Sequence, residues 1–221
     1  MKNIIYLFLI TMLIASCSID NYDAPSAGLT GKVIDNETNA MIENGGVNSG
    51  TVIQIFEGNS KQPILSNSFS DGHFENASLF PGNYKIYAVG AFKIVGDTAR
   101  ISLSDNKEVE IKVLPNVRLK ATLLSFVGTT ATVKVEYNKV HTDQVLDQLC
   151  IVWSTINNPN MFIFFGGGQK TENVKTQNLT KGEIVFTITG LTAGTKYYLR
   201  AAGRTLAPGN YYNYSKTFMT N

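Results

Sequence analysis

This sequence has few of the side chains on which enzymes and metalloproteins depend. Its 221 residues include two cysteines (Cys17 and Cys150), two histidines (His73 and His141) and a single tryptophan. Charged residues make up 16% of the chain, and 19 basic residues nearly balance 17 acidic ones. A chain in which neither sign of charge dominates lacks the electrostatic footprint of a nucleic-acid-binding protein, so we expect no nucleic-acid partner.

The scarce reactive residues do not combine into a catalytic or metal-binding motif. His141 and Asp143 are close in sequence, but a catalytic zinc site needs three protein ligands. Cys150 has no neighbouring histidine that would lower its pKa, which favours a buried apolar role. The glycine run 166–168 is followed by neither the lysine nor the helix of a phosphate-binding loop. We therefore predict no catalytic residue, no metal site and no cofactor.

Helical periodicity is also missing, whereas the two-residue period of a strand recurs. Apolar residues alternate with polar ones in segments 108–113, 131–137 and 183–188. One apolar and one polar face are typical of an antiparallel sheet that packs on one side. Short strands between glycine, asparagine, aspartate and proline turns predict an all-β fold made of sandwiches.

A break near Pro115-Asn116 divides the chain into two consecutive antiparallel β-sandwich domains. The strand pattern that ends at Val113 is followed by a new alternation that opens at Val117. The predicted domains are residues 28–115 and 117–221. The polar segment 17–27 is too weakly apolar to fold alone and is predicted to be a flexible tether.

The first seventeen residues hold the longest apolar run of the sequence. Lys2 precedes an apolar stretch at 4–14, and two small residues lead directly into Cys17. This order is that of a secretory signal peptide, and the run is shorter than the roughly 20 residues of a membrane span. A cysteine at the cleavage position resembles the lipobox of bacterial lipoproteins; a plain secretory signal with a chance cysteine is the alternative. The resemblance implies removal of residues 1–16 and attachment of diacylglycerol and acyl chains at Cys17, which would anchor the protein firmly to a membrane.

The first domain contains turn motifs with a recognisable order. A strand at 31–35 ends in an Asp-Asn turn, Asp71-Gly72 precedes a strand, and Pro81-Gly82 precedes a third strand that contains Tyr84. This order resembles the prealbumin-like sandwich of carboxypeptidase regulatory-like domains. The shared residues are turn formers and core apolar residues, so the resemblance implies a fold and no chemistry.

The second domain resembles fibronectin type III-like modules of the immunoglobulin-like class. Segment 190–201 is similar to their E–F corner, in which Tyr197 would be the corner tyrosine and its hydroxyl would bond to the turn backbone. Leu199 and Ala201 would then face the core, and Trp153 stands where strand C of such sandwiches buries a tryptophan.

The two domains behind a lipobox together resemble a family of two-domain Bacteroidota outer-membrane lipoproteins of unknown function. Members are typically encoded beside glycan uptake systems of the starch-utilisation type, which pair an outer-membrane transporter with a surface lipoprotein. The resemblance implies a lipid-anchored protein at the outer membrane, exposed on the cell surface, with a role in nutrient capture. Asp20 and Asp23 resemble the acidic surface-export signal of such lipoproteins.

Two stretches are candidate binding sites. Tyr211, Tyr212 and Tyr214 fall in the predicted F–G connection, at an end of the sandwich where binding loops lie. Their rings would stack on sugar faces. The alternative is that they cover the core, and it is favoured most strongly for Tyr214.

The apolar run 161–165 contains Phe162, Phe164 and Phe165. Five apolar residues in a row cannot all face one core if the strand is half exposed. The run is therefore either buried on both faces or exposes aromatic rings for docking of a protein partner.

Three functions remain open. The first is a non-enzymatic accessory protein that binds glycan or acts as a scaffold beside an outer-membrane transporter. The second is an adhesin-like or cell-envelope protein that binds a protein partner. The third, a glycoside-processing enzyme, needs two carboxylates that converge on one sugar.

Overall fold

The computed structural model describes residues 23–47 and 49–220. The predicted signal peptide, the lipidation site Cys17 and the first part of the tether lie outside these residues. Within the described ranges, no helix has the length and apolar character needed to cross a membrane. The regular secondary structure there consists of β-strands and one short 3-10 turn, which confirms the predicted all-β fold class.

Eight strands form the first half of the structure. They are β1 (Ala27–Asp35), β2 (Val52–Glu57), β3 (Ile64–Asn67), β4 (His73–Leu79), β5 (Gly82–Val89), β6 (Phe92–Ile94), β7 (Ala99–Leu103) and β8 (Lys107–Pro115). Two four-stranded sheets result, with the orders β4-β1-β8-β6 and β3-β2-β5-β7. Buried side chains from both sheets, among them Leu29, Ile53, Phe74 and Ile86, form one core between them, so this half is a sandwich.

The sandwiches are antiparallel as predicted, apart from one pair of strands. Strand β1 runs parallel to β8, with Gly31 opposite Val109 and Val33 opposite Ile111. The physical reason is that β1 and β8 are the first and last strands of this half. The chain returns to β1 by a long crossover through the other sheet, and no hairpin imposes an antiparallel direction.

The second half is built in the same way from eight strands and one short 3-10 turn at Lys175–Gln177. The strands are β9 (Val117–Val127), β10 (Thr130–Lys139), β11 (Leu146–Ser154), β12 (Gly168–Asn173), β13 (Lys181–Ile188), β14 (Tyr198–Thr205), β15 (Asn213–Tyr214) and β16 (Phe218–Met219). A three-stranded sheet β13-β10-β9 faces a five-stranded sheet in which β12, β11, β14 and β15 are neighbours and β16 also pairs with β14. The core between them contains Val133, Ile151, Phe186 and Leu199.

Strand β10 shows how the sequence pattern produces this layering. Its residues alternate without exception between half-buried and buried. The β-branched Val133 and Val135 point inward, and Lys134 and Glu136 point outward. Branched side chains pack well on a pleated surface, so propensity and burial act together here.

Several local predictions are confirmed. The hydroxyl of Tyr197 accepts a hydrogen bond from the backbone N–H of Thr192 at 3.2 Å, which is the tyrosine-corner contact. Leu199 and Ala201 are fully buried. Gly72 has φ of +93°, and a Cβ on it would lie 2.7 Å from the carbonyl oxygen of Ile42, so the turn there requires glycine.

Strand β8 ends at Pro115 and β9 begins at Val117. The boundary between the two sandwiches therefore falls where the sequence pattern breaks. The division into two independently folding domains stays a prediction.

Candidate functional site

The two sandwiches meet through a buried arginine. Arg200 lies on β14, and its side chain is completely inaccessible to solvent. Its Nε donates to the carbonyl oxygen of Ser215 at 3.0 Å, and its Nη1 donates to the carbonyl oxygen of Asn44 at 3.1 Å. Its Nη2 donates to a carboxylate oxygen of Glu43 at 2.9 Å, and the guanidinium lies 4.7 Å from the centre of the Tyr214 ring. One side chain of the second sandwich thus binds the first sandwich at several points.

Burial governs the electrostatics of this contact. Loss of water lowers the pKa of Arg200, and the carboxylate of Glu43 opposes that change. Burial likewise raises the pKa of Glu43 above its ordinary value, and the positive charge of Arg200 offsets only part of that rise. A guanidinium stays charged in proteins, so its burial is tolerable only because acceptors surround it.

A second ion pair crosses the contact between the two sandwiches, which we call the joint. Arg118 at the start of β9 donates from Nε and Nη2 to the carboxylate of Asp35 at 2.6 and 2.9 Å. The same Nη2 also donates to Glu37 at 2.6 Å. Burial raises the pKa of Asp35, but hydrogen bonds from Arg118, the Glu37 backbone and Thr38 outweigh it, so the pKa lies below its usual value.

Buried asparagines add uncharged contacts. The Oδ1 of Asn213 accepts from the backbone N–H of Val117 at 2.9 Å, and this bond fixes β15 beside the start of β9. The Nδ2 of Asn160 donates to the carbonyl oxygen of Gly45 at 2.8 Å. Both asparagines are buried, so their bonds replace lost water contacts.

Two adjoining cavities follow the joint. The inner pocket has a volume of about 310 Å³ and lies between segment 35–43 of the first sandwich and residues 117–119 and 213–216 of the second. The outer cleft is more open, has a volume of about 430 Å³, and is lined by Glu43, Asp71, Asn157, Asn158, Tyr198, Lys216, Thr217 and Met219. Glu43 and Lys216 line both cavities. We call the two together the furrow.

The outer cleft is lined by polar groups of several kinds. Asp71 accepts hydrogen bonds from the backbone and ring nitrogens of His73. Burial raises the pKa of Asp71, but these bonds outweigh burial and the pKa lies below its usual value, so the group is a carboxylate at neutral pH. In the same cleft, the hydroxyl of Thr217 donates to the side-chain oxygen of Asn158 at 2.7 Å. Carboxylate, amide, hydroxyl and ammonium groups therefore share one concave surface.

Two of the candidate ligand-binding tyrosines are buried, which favours the alternative that they cover the core. Tyr212 is 7% exposed, and its hydroxyl donates to the side-chain oxygen of Gln148. Tyr214 is 5% exposed, and its hydroxyl accepts from the backbone N–H of Met161 at 3.1 Å. Both rings cover the outer face of β11 and β14, where Cys150, Val152 and Ala202 form a second apolar cluster. Tyr211 is half-buried and lies against Gly209.

The apolar run 161–165 forms part of a loop between β11 and β12 rather than a strand. The Oδ1 of Asn160 accepts from the backbone N–H of Phe162 and of Ile163, and these bonds turn the loop. Phe162 and Phe165 are 67% and 74% exposed, which agrees with the docking alternative. Phe164 is different, because it is half-buried and packs on the cluster around Val152.

The remaining candidates for chemistry have structural surroundings. Burial raises the pKa of the Cys150 thiol to about 11, which disfavours a reactive thiolate. The Nε2 of His141 lies 3.1 Å from the carbonyl oxygen of Leu114, so it donates there and helps to hold the joint. Within residues 23–47 and 49–220, no three His, Cys, Asp or Glu side chains are placed to hold a metal ion.

Sequence reasoning missed Arg200 and Glu43, the residues that organise the furrow. The available indication was a charged residue between Leu199 and Ala201, two core positions of a strand. Alternation places Arg200 on the opposite face of β14. Nothing in the local sequence shows that another sandwich covers that face.

Removal of the buried guanidinium should destabilise the protein strongly. We expect Arg200→Met to lower the free energy of unfolding by about 3–5 kcal/mol, because Glu43 would remain buried without its partner. Urea denaturation, monitored by tryptophan fluorescence, measures the change in the free energy of unfolding. Arg204→Met is the control, since Arg204 is on the same strand but its ion pair with Asp147 is partly exposed. Equal losses for the two variants would contradict this account of the joint.

The joint should also weaken in acid. Because the folded pKa of Asp35 is below its ordinary value of 3.8, its ion pair stabilises the protein above that pH. This stability is lost as the pH falls through the folded pKa. The difference in unfolding free energy between the wild type and Arg118→Gln should therefore shrink as the pH is lowered from 7 to about 2.5. Arg100→Gln, a substitution at an exposed position, is the control. If the difference in unfolding free energy between the wild type and Arg118→Gln stayed constant with pH, this ion pair would not be the acid-sensitive group.

Comparison with known proteins shows that the chain is similar in fold to proteins from Parabacteroides and Bacteroides species. In fold, it is similar to a DUF3823 family protein from Parabacteroides merdae, with 16% identity, a TM-score of 0.75 and coverage of 90% of this chain and 100% of that one. A DUF3823 family protein from Bacteroides ovatus has 20% identity and a TM-score of 0.70, over 88% of this chain and 98% of its own. A candidate carbohydrate-binding protein from Bacteroides uniformis has 14% identity and a TM-score of 0.73, over 89% and 99%.

These low identities establish a shared fold and leave ligands and partners open. No curated protein matches the sequence. Residues 27–114, which span the first sandwich, match the family model described as the N-terminal domain of a protein of unknown function, DUF3823.

Proposed function

We propose that this protein is a non-enzymatic, lipid-anchored surface protein that binds glycan beside an outer-membrane uptake system. The proposal for its location rests on the basic, apolar and small-residue order of the N-terminus and on Cys17. The proposal for its activity rests on one observation, the outer cleft between the two sandwiches.

The chemistry of that cleft suits a sugar. Sugar hydroxyls both donate and accept hydrogen bonds, and the cleft offers amides from Asn157 and Asn158, a carboxylate from Asp71 and a hydroxyl from Thr217. The half-buried ring of Tyr198 adds an apolar surface for a sugar face. Sites of this kind, concave with a few convergent polar groups, are typical of small-molecule recognition.

The contacts of the acids favour binding over hydrolysis. Two carboxylates, Glu43 and Asp71, line the cleft, as a glycosidase would require. A glycosidase acid must hold a proton and give it to the leaving oxygen. Glu43 instead accepts from the permanently charged Arg200, and Asp71 accepts from His73. Both carboxylates are thus engaged as acceptors.

The comparisons agree with this proposal in one respect. A protein of the same fold from Bacteroides uniformis is a candidate carbohydrate-binding protein, although only 14% of residues are identical. We extend that activity to this chain on the strength of the cleft. The expected protein partners are the outer-membrane transporter and its surface lipoprotein.

Affinity electrophoresis in gels that contain starch, inulin, xylan, arabinan or mannan tests the binding activity. We expect the wild type to be retarded by at least one polysaccharide, and Lys216→Ala to weaken that binding about tenfold. Lys216 lines both parts of the furrow, and a hydrogen bond from a charged group contributes about 1.5–3 kcal/mol.

Lys61→Ala is the matched control, because Lys61 is exposed on the first sandwich and lies outside the furrow. Equal retardation of the two variants would show that the furrow is not the glycan-binding site. Unretarded migration of the wild type in every gel would contradict glycan binding.

A second function, docking of a protein partner, is favoured by the exposed loop. Phe162, Ile163 and Phe165 are each more than half exposed on one short segment. Aromatic residues are enriched at protein interfaces, and charged ones are depleted at their centres. This surface would serve either a transporter contact or the adhesin-like alternative.

The proposed anchor predicts the fate of a cysteine variant. Cys17→Ala should leave the protein in the soluble fraction of the envelope, because the lipid is the expected membrane attachment. Detergent partitioning and membrane fractionation of cells measure the change, and urea denaturation of the purified protein should match the wild type. A Cys17→Ala protein that still sediments with the membrane would contradict the anchor.

A further inference from the structure

One sheet of the first sandwich has an unusual outer face. In the sheet β3-β2-β5-β7, Ile53, Tyr84 and Ile86 point into the core, so the residues next to them along each strand point outward. We call the outward surface of this sheet the platform. The residues that give it its character are Val52, Phe56, Leu65, Lys85, Tyr87 and Arg100.

Aromatic and aliphatic side chains occupy much of the platform, although the solvated face of an antiparallel sheet usually carries polar residues. The rings of Phe56 and Tyr87 are half-buried, and their centres lie 5.6 Å apart in an edge-to-face arrangement. Leu65, on the edge strand β3, is 64% exposed. Together these side chains offer a broad apolar surface to a ligand.

Two cations stand beside this apolar surface. Lys85 on β5 is directly opposite Arg100 on β7, and like charges in opposite positions destabilise a sheet. Among the described residues, no carboxylate forms an ion pair with either of them. The one acidic residue in these four strands, Glu57, is opposite Tyr84 and so belongs to the inward-facing row. A local rule that is broken without compensation inside the fold is typical of a functional surface.

The outer faces of two other sheets show the usual arrangement. On the second sandwich, Lys134 of β10 lies 3.3 Å from a carboxylate oxygen of Glu136 and 3.4 Å from one of Glu183. On the opposite sheet of the first sandwich, Lys32 pairs with Glu108. The platform differs from both because its cations have no such partner, so a ligand that supplies negative charge would complete it.

The dimensions of the platform favour a narrow ligand over a protein. Four strands about 4.8 Å apart and about six residues long cover roughly 14 by 20 Å, or about 300 Å². A stable protein interface buries about 800 Å² on each partner. An extended polymer chain needs no more width than the platform provides.

The position of the rings disfavours a lipid surface. Side chains that hold a protein in a membrane interface reach about 5–10 Å into the headgroup and acyl boundary. Phe56 and Tyr87 are half-buried against their own sheet, unlike the exposed rings of Phe162 and Phe165.

We propose that the platform is a second binding site, separate from the furrow, and that it binds an acidic polysaccharide. Sugar rings of the polymer would lie on Phe56 and Tyr87, and its carboxylates would bond to Lys85 and Arg100. This inference goes beyond the proposed function, because it assigns another surface and a charged class of glycan.

Affinity electrophoresis in gels that contain polygalacturonate, alginate or hyaluronate tests the proposal, with calorimetry to measure affinity. We expect at least one of these polymers to retard the wild type. The double variant Lys85→Gln, Arg100→Gln should bind that polymer at least about tenfold more weakly, because it loses charged hydrogen-bond donors. The double variant Lys32→Gln, Lys112→Gln is the matched control, since it removes the same charge from the opposite sheet and should bind as the wild type does. Equal weakening in the two double variants would overturn the site.

Methyl esterification of the bound polymer separates charge from shape, because it neutralises the carboxylates and keeps the sugar rings. The ester should bind the wild type more weakly than the acid does, and it should no longer distinguish the wild type from Lys85→Gln, Arg100→Gln. An ester that binds as tightly as the acid would contradict recognition through charge.

The aromatic surface is tested by Tyr87→Val, which removes a ring and keeps a residue that favours strands. With its fold verified by circular dichroism, this variant should bind the acidic polymer several-fold more weakly. Wild-type affinity in Tyr87→Val would show that sugar rings do not lie on the platform.

Failure of this inference is distinguishable from failure of the proposed function. A wild type that binds a neutral polysaccharide but none of the three acidic ones would overturn the platform site and leave the furrow intact. Retardation by an acidic polymer alone, lost in Lys85→Gln, Arg100→Gln, would support the platform and contradict the furrow. Sedimentation with vesicles of phosphatidylglycerol, lost in that double variant and without any binding of acidic polymer, would overturn the inference in favour of a lipid surface.

Discussion

The structure depends on the burial of one charge. Arg200 is a fully inaccessible guanidinium whose acceptors come from both sandwiches, with Ser215 on one side and Asn44 and Glu43 on the other. A shift of one sandwich against the other would leave both charges buried without their partners. An unpaired buried charge costs several kcal/mol, so the pair holds the sandwiches in one arrangement.

The furrow is a consequence of that arrangement. Its walls come from segment 35–43 of one sandwich and from β9 and β15 of the other, so neither sandwich contains the site alone. The residues that hold the joint also line the cavities, as Glu43 and Arg118 show. A site built in this way is preorganised, because the polar groups that would meet a ligand are already fixed by their structural bonds.

The sequence was most informative where the determinant is local. The alternation in β10, the Gly72 turn and the Tyr197 corner each need only a few neighbouring residues, and each is present as predicted. The parallel pairing of β1 with β8 involves strands far apart in the chain, and no local pattern specifies its direction.

The candidate site was predicted less well, because it depends on which faces of the sheets are covered by other parts of the chain. Tyr212 and Tyr214 have the composition of a binding loop, yet the loop that contains Met161 and Phe164 packs over the same face of the sheet and buries them. Asn157 and Asp71, which line the cleft, have no sequence neighbours in common. Only the contact between the sandwiches brings them together.

We propose above all that a ligand binds at the joint between the sandwiches. Backbone amide chemical shifts, recorded by NMR during titration with fragments of the bound polysaccharide, test it most directly. If a ligand binds at the joint, the largest changes should fall on residues 43–46, 157–158 and 213–217. Changes confined to the exposed loop at 162–165, or to the outer surface of β9 and β10, with the joint unaffected, would contradict it.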